Sequence, residues 1–254
     1  MLGLGNTLSG GIVPAAAASG YSASFGGDDE YIDLGNNSAL RPSLGSGNSI
    51  SMSLWAKWTN VTSGTGQLFA IGTSSSNYTG VWTNINSSGL ISVHTGDGSG
   101  QGSTDRRSLK TDSNHLTNDT WHHIAFVLPD AVSSNFAIWI DGVDVAATTS
   151  GNGGAMTYDG TNSAFIGKRE SPYGAVYASA GLIDEVGLFN AELGSSDIAS
   201  IYNSGGTPGS LSGISGLIGY WKMEEGTGSE VTDSSTNSNT GTLTNGATWS
   251  TDIP

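Results

Sequence analysis

Three pairs of adjacent titratable residues are the first candidates for chemistry: His122-His123, Asp184-Glu185 and Glu224-Glu225. Two carboxylates can serve as the acid and the nucleophile of a retaining glycoside hydrolase when they lie about 5 Å apart on one side of a cleft. Neighbouring residues of a β-strand point to opposite faces of the sheet. Unless a bulge intervenes, neither acidic pair converges on one substrate. The sequence therefore predicts no catalytic residues and a protein that is not an enzyme.

The histidine pair favours structural roles. On a strand, one of the two rings faces inward, where a hydrogen-bonded core histidine is commoner than a metal ligand. No Cys or His pair has the spacing of a zinc site, and no serine lies in a nucleophile elbow with supporting context. Gly3-Leu4-Gly5 lacks the preceding strand and third glycine of a dinucleotide fingerprint.

Two acidic stretches could supply the oxygen ligands that Ca²⁺ prefers: Asp28-Asp29-Glu30 and the glycine-rich residues 97–105. The second stretch lacks the regular spacing of a calcium-binding loop. Solvated acidic turns explain both stretches. We therefore expect no cofactor and no metal ligand, with calcium as the alternative.

Candidate ligand-binding residues lie in or beside polar loops. Aromatic side chains there can stack on sugar faces, and arginines can bind hydroxyl groups. The alternatives are ordinary exposed loop chemistry and contact with another protein subunit. The candidates are Tyr78, Trp82, Arg106, Arg107, Arg169 and Tyr173.

The elements that must position these residues are short β-strands. Residues 50–58 alternate between apolar and polar positions, which predicts a strand with one core face. Residues 121–128 are apolar on both faces, as in a central strand that is covered twice. Asp141-Gly142 predicts a tight hairpin turn. Gly, Asn and Ser clusters separate most of the runs, and one short helix from Ser195 or Ser196 is expected to plug an opening of the resulting sandwich.

Composition excludes several classes of protein. The chain has 254 residues, 39 glycines without a collagen period, no cysteine and a net charge of −14. It cannot form disulfides. Only 8 residues are Lys or Arg, which argues against nucleic-acid binding, because such binding needs clustered basic side chains. No run approaches the roughly 18 apolar residues of a membrane span, so we expect no membrane insertion.

The order of segments resembles the laminin-G-like, concanavalin A-like jelly-roll family. The resemblance implies an all-β fold, a two-sheet antiparallel jelly-roll sandwich with one short helix, of a kind often used to bind carbohydrate or protein. The matching segments are residues 24–34, 50–58, 120–125, 136–142, 165–167 and 181–202.

Composition and this resemblance together divide the chain into three regions. Residues 1–20 are expected to form an extended, glycine-rich arm, and residues 21–210 the sandwich. Residues 211–254 resemble the opening strands of such a domain but are too few to bury a core of their own. We expect them to pack back on the sandwich, as in a circular permutation, or to dock on a partner.

The acidic, cysteine-free sandwich with its arm and tail is also similar to virion proteins of tailed bacteriophages, especially marine ones. This similarity implies a non-enzymatic structural or decoration protein of the virion. Its partners would be other virion proteins, including copies of itself, and host glycans. The alternatives are a secreted or cell-surface bacterial carbohydrate-binding or adhesion module and, third, a glycoside hydrolase of concanavalin-like fold. The ligand, the position in the virion and the oligomeric state stay open at this point.

Overall fold

The computed structural model describes residues 20–254, which form two large antiparallel β-sheets around a shared apolar core. The predicted all-β sandwich with one short α-helix is confirmed for this part of the chain. The arm expected over residues 1–20 lies outside the described residues, apart from Gly20.

The strands and the helix have the following bounds in chain order. The first half contains β1 (Ser22–Phe25), β2 (Tyr31–Asp33), β3 (Ile50–Trp58), β4 (Gly66–Ile71), β5 (Thr79–Ile85), β6 (Ile91–Asp97), β7 (Arg106–Thr111), β8 (His122–Leu128) and β9 (Ala137–Ile140). The second half contains β10 (Val143–Asp144), β11 (Ala147–Ser150), β12 (Phe165–Ile166), β13 (Lys168–Arg169), β14 (Val176–Tyr177), β15 (Gly181–Phe189), α1 (Ser195–Tyr202), β16 (Leu217–Trp221), β17 (Glu230–Val231), β18 (Gly241–Thr244) and β19 (Thr248–Ser250).

The strands form two layers and one small hairpin. The eight-stranded sheet has the order β10-β9-β8-β3-β15-β1-β19, and β16 also pairs with β15. The nine-stranded sheet has the order β11-β7-β6-β5-β4-β12-β2-β18-β17. Strands β13 and β14 pair only with each other. All the pairings are antiparallel, so the loops gather at the ends of the strands and can bring distant segments together.

The side chains of β3 alternate between the two faces of the sheet as predicted, but the prediction of a single core face is wrong, because Ser51, Ser53 and Trp55 are buried as well. Met52 and Leu54 lie in the main core, whereas Trp55 points to the other face of the sheet, where it stacks on Tyr202. In β8, Phe126 is part of the main core and Val127 packs under α1. The helix was expected to plug an opening of the sandwich, but it covers the outer face of the eight-stranded sheet, because β8 carries apolar residues on that face too.

The Asp141-Gly142 turn is confirmed. Both residues have positive φ, +50° and +76°, as a tight hairpin requires. The Asp141 carboxylate has a second role, because it accepts hydrogen bonds from His122 Nδ1 at 2.7 Å and from the His123 backbone N–H at 2.9 Å. The turn is thereby tied to the start of β8.

The C-terminal segment contributes strands to both sheets. Strand β16 runs antiparallel to β15, and β19 runs antiparallel to β1 in the eight-stranded sheet. Strand β18 runs antiparallel to β2 in the nine-stranded sheet. Trp221 of β16 is fully buried, and its indole N–H donates to the Asn239 carbonyl oxygen at 2.8 Å. Residues 211–254 therefore lie within the same core as the rest of the described chain.

Candidate functional site

The outer face of the nine-stranded sheet carries a row of polar and aromatic side chains. In β5, Val81 faces the core and Trp82 faces outward, as strand alternation requires. Trp82 lies opposite His94 of β6, and His94 lies opposite Ser108 of β7. These pairings set the three side chains side by side across the sheet.

An aromatic stack extends from this row toward the solvent. The His94 and Trp82 rings are 5.0 Å apart and nearly parallel, and the Trp82 and Tyr78 rings are 5.5 Å apart. Tyr173, in the turn between β13 and β14, contacts Tyr78 with a centroid distance of 6.5 Å. Trp82 is 2% exposed and Tyr78 is 7% exposed, whereas Tyr173 is 73% exposed. Trp82 therefore supports the site from below, and Tyr173 is the ring that a ligand can reach.

Two arginines lie on this stack. The guanidinium carbon of Arg106 is 4.8 Å from the centre of the Tyr78 ring, and that of Arg169 is 4.9 Å from the centre of the Trp82 ring. Such cation–π contacts hold each guanidinium close to its ring. Burial lowers the pKa of Arg169 to about 10, and the charge of Arg106 acts in the same direction. Arg169 therefore remains cationic at neutral pH.

His94 forms the base of the site. Its Nδ1 is 2.7 Å from Ser108 Oγ, and its Nε2 is 2.9 Å from Asn84 Oδ1. Burial lowers the pKa of His94 to about 3. The positive charges of Arg106, Arg169 and Lys110 add to this effect. The ring is therefore neutral at physiological pH, and it acts as a hydrogen-bonded platform rather than as a charged group.

The structure brings together five of the six residues proposed from the sequence and separates the sixth. Arg107 is adjacent to Arg106 on β7, so its side chain points to the opposite face. Its guanidinium donates a hydrogen bond to the Ala131 carbonyl oxygen. Sequence reasoning missed His94, although the alternation of Ile91, Ser92, Val93 and His94 places its ring on the outward side.

The Asp184-Glu185 pair does not follow the expected alternation. The register of β15 against β3 shifts between Asp184 and Gly187, and Glu185 has a φ of +50°. This bulge turns both carboxyls toward one cavity of about 80 Å³, which Glu224 also lines. The expectation that these two side chains lie on opposite faces is therefore wrong, because a bulge breaks the two-residue period.

Burial controls the protonation of this acidic cavity. Asp184 is only 4% exposed, and burial, assisted by the charge of Glu185, raises its pKa to about 9. Burial also raises the pKa of Glu185 to about 7, although the Tyr220 hydroxyl donates a hydrogen bond to it. The cavity is well below the roughly 300–1,000 Å³ of typical ligand pockets.

The adjacent histidines have structural surroundings. His122 Nε2 accepts the Thr117 backbone N–H at 2.9 Å, so its Nδ1 carries the proton that is donated to Asp141. His123 is fully buried on the other face of β8, with its Nε2 2.8 Å from Ser53 Oγ. Both rings are held by hydrogen bonds within the scaffold.

The acidic turn at residues 28–30 uses its carboxylates within the turn. Glu30 accepts hydrogen bonds from the backbone N–H groups of Gly27 and Asp28, and Asp29 accepts one from Asn245. Within residues 20–254, no group of three or more His, Asp or Glu side chains is arranged to hold a metal ion. In the same range, no helix has the length and apolar character needed to cross a membrane.

Comparison with known proteins identifies the family. Residues 25–199, well over half of the chain, match the Laminin_G_3 model of the concanavalin A-like lectin/glucanases superfamily. The chain belongs to this family. A comparison with curated proteins gave no match. This Laminin_G_3 domain thus has a lectin-like fold, and its family includes both binding proteins and enzymes.

Solved structures agree with this fold at low sequence identity. A candidate carbohydrate-binding protein from Bacteroides ovatus is 15% identical with a TM-score of 0.60, and the match covers 91% of this chain and 59% of that one. The carbohydrate-binding module (CBM40) of a Ruminococcus gnavus sialidase, bound to α2,3-sialyllactose, is 12% identical with a TM-score of 0.52. The match covers 71% of this chain and 96% of that one. A heptameric pentraxin from Limulus polyphemus is 14% identical with a TM-score of 0.50, and the match covers 79% of this chain and 86% of that one.

These similarities establish the fold of the Laminin_G_3 domain and nothing finer. The chain spans about three fifths of the length of the Bacteroides ovatus structure. What each of these proteins binds is a property of that protein.

Proposed function

We propose that the protein is a non-enzymatic carbohydrate-binding module that binds glycans on the outer face of its nine-stranded sheet. The observation that carries this proposal is the exposed ring of Tyr173 beside the Tyr78–Trp82 stack, with Arg106 and Arg169 lying on that stack. An exposed ring can stack on the apolar face of a sugar, and arginines can donate several hydrogen bonds to hydroxyl groups. The lectin-like family and the carbohydrate-binding proteins of similar fold support the proposal.

The rigidity of the site also supports binding. Arg169 and Tyr78 are held by ring contacts, and His94 is fixed by hydrogen bonds to neighbouring strands. A ligand would then meet a surface that is already ordered, which reduces the entropy lost on binding. Tyr173, which lies in a turn, is 73% exposed and can be reached by a sugar.

A non-enzymatic role is proposed because the arginine–aromatic site contains no carboxylate pair. The bulge in β15 does bring Asp184 and Glu185 together in the small cavity that Glu224 also lines. That cavity belongs to the eight-stranded sheet, whereas the candidate site lies on the nine-stranded sheet. Incubation of the protein with any glycan that it binds should release no reducing sugar. Measurable release would return the glycoside hydrolase alternative to first place.

Binding to a glycan array tests the main proposal. The full chain should bind a defined set of glycans, and Tyr173→Ala should lower that signal because it removes the accessible ring. Val143→Ser is the matched control, since Val143 is equally an exposed apolar residue but lies in β10 of the other sheet. Equal binding by all three proteins would remove Tyr173 from the site, and absence of binding to any glycan would overturn the proposal.

We also propose, from the sequence resemblance, that this module is a structural or decoration component of a bacteriophage virion. There, glycan affinity would attach the particle to its host, and the alternative is a secreted or cell-surface bacterial adhesion module. Mass spectrometry of purified phage particles and of bacterial culture supernatants separates the two. Detection only in the supernatant would reject the virion role while leaving glycan binding intact.

A further inference from the structure

The two arginines of the site lack a carboxylate partner among the residues that the structure describes. Within residues 20–254, neither the Arg106 nor the Arg169 side chain makes an ion pair, and the buried Nε of Arg169 has no hydrogen-bond partner. Four other basic side chains do bind oxygen atoms of the protein: Arg41, Arg107, Lys57 and Lys168. The site therefore differs from most of the basic surface of this acidic chain.

The lack of a carboxylate partner for these arginines within the described part of the chain is informative because the chain has a large excess of acidic residues. Only 8 of its residues are Lys or Arg and 22 are Asp or Glu, yet three cations, Arg106, Arg169 and Lys110, act together on His94. Like charges repel, and a partly buried cation without a partner is costly. An arrangement of this kind becomes favourable when an anion binds between or beside the cations.

The position of the guanidinium groups also suits an oxyanion. Each group lies against an aromatic ring, Tyr78 for Arg106 and Trp82 for Arg169, and these rings are themselves stacked 5.5 Å apart. A ring satisfies the face of a guanidinium but leaves the N–H groups at its edge able to donate. Those N–H groups form the planar fork that matches carboxylate and sulfate oxygens.

We infer that Arg106 and Arg169 bind a negatively charged group of the ligand, so that the glycans bound by this protein are acidic sugars carrying a carboxylate or a sulfate. The inference rests on the proposed function, since it takes a glycan to be bound at this face. Tyr173 would contact the sugar ring next to the charged group. Lys110, exposed on the same face of β7, would strengthen the attraction without direct contact.

The test compares glycans that differ in one group. The full chain is applied to an array that presents each neutral glycan in three forms: unmodified, carboxylated and sulfated. For lactose, the carboxylated form is 3′-sialyllactose and the sulfated form is 3′-sulfolactose. We expect the acidic forms to bind at least about tenfold more tightly than their neutral parents, as hydrogen bonds to charged groups allow. The carboxylated and sulfated forms together show which source of charge is preferred.

Each outcome of the array separates the inference from the proposed function. If the neutral parents bind as well as the acidic forms, the acidic-sugar inference is rejected while carbohydrate binding stands. If no glycan binds in any form, both are rejected. Raising the salt from about 0.05 to about 0.5 M should weaken the acidic forms selectively, because salt screens charge attraction.

Variants then assign the charge recognition to named residues, with calorimetry on the best acidic glycan. Arg106→Gln and Arg169→Gln should each weaken binding about tenfold or more. Arg169→Lys should weaken it too, because a lysine keeps the charge but loses the fork. Arg107→Gln is the matched control: it removes the same charge from the next residue, which points away, and should bind as the parent does. Equal effects of Arg106→Gln and Arg107→Gln would reject a specific anion site.

Discussion

The imidazole of His94 lies almost parallel to the indole of Trp82, with planes 15° apart and centroids 5.0 Å apart. Because burial lowers the pKa of His94 to about 3, this contact is a stack of two neutral rings rather than a cation–π pair. The positive charge of the site therefore comes from Arg106, Arg169 and the nearby Lys110, and not from His94. The stack gives those arginines a firm apolar base.

The different exposures of Trp82 and Tyr173 predict that the two rings can be separated by experiment. Trp82→Ala should destabilise the fold by about 3–5 kcal/mol, because it leaves a large cavity under the loops. Tyr173→Ala should change the free energy of unfolding by less than about 0.5 kcal/mol, since the side chain is exposed. Urea denaturation measures both values. A large loss of stability in Tyr173→Ala would show that the ring is part of the scaffold.

The sequence predicted the scaffold well because its signals are local. Alternation along residues 50–58 and the Asp141-Gly142 turn depend on neighbouring residues only, and both are confirmed. The convergence of Tyr78, Arg106 and Arg169 depends on sheet order and strand register. Loop lengths and alternation cannot fix these properties. Trp82, Arg106 and Arg169 lie in strands β5, β7 and β13 and not in the loops expected from the sequence.

The bulge at Glu185 shows a second limit of sequence reasoning. Positive φ is usually signalled by Gly or Asn, and neither is present at this position. The strand pattern through residues 181–189 therefore predicted regular alternation, which would have separated the two acids. Only the register of β15 against β3 reveals that Asp184 and Glu185 share a cavity.

The buried acid Asp184 predicts a dependence of stability on pH. Its pKa is raised to about 9 in the folded state, above its ordinary value. The stabilising contribution of the protonated form is therefore fully present below about pH 4 and is lost as the pH rises toward 9. Asp184→Asn removes this loss, so the variant should be more stable than the parent at pH 8, by on the order of 1–3 kcal/mol, and similar at pH 4.

Denaturation of both proteins by urea across this pH range measures the effect. Glu192→Gln is the matched control, because it removes a single carboxylate that is exposed on the surface. The control should differ from the parent far less than Asp184→Asn does at pH 8. A stability difference for Asp184→Asn that is the same at pH 4 and pH 8 would show that Asp184 is ionised in the folded protein.

The Asp141 turn predicts a graded series of variants. Asp141→Ala removes the acceptor for His122 Nδ1 and for the His123 N–H and places alanine at a φ of +50°, so it should destabilise the fold by about 2–4 kcal/mol. Asp141→Asn tolerates that φ and keeps one acceptor oxygen, so it should cost less. The exposed Asp144→Ala, in the same hairpin, is the control. If thermal unfolding shows that Asp141→Asn is no more stable than Asp141→Ala, the expected order of the series is contradicted.

The pairing of β19 with β1 predicts that the chain can be permuted but not shortened. A chain that ends at residue 210 loses β16–β19, which exposes the pocket of Trp221 and the edges of β15 and β2, so it should aggregate or remain unfolded. Ser250 pairs with Ser22, so a short linker from residue 254 to residue 21 can join the two ends. The permutant runs from residue 211 to residue 254, through the linker, and then from residue 21 to residue 210. It should elute as the parent does in size-exclusion chromatography and melt within a few degrees of it. If the shortened chain is as stable and monomeric as the parent, residues 211–254 are dispensable and this account of the C-terminal segment is wrong.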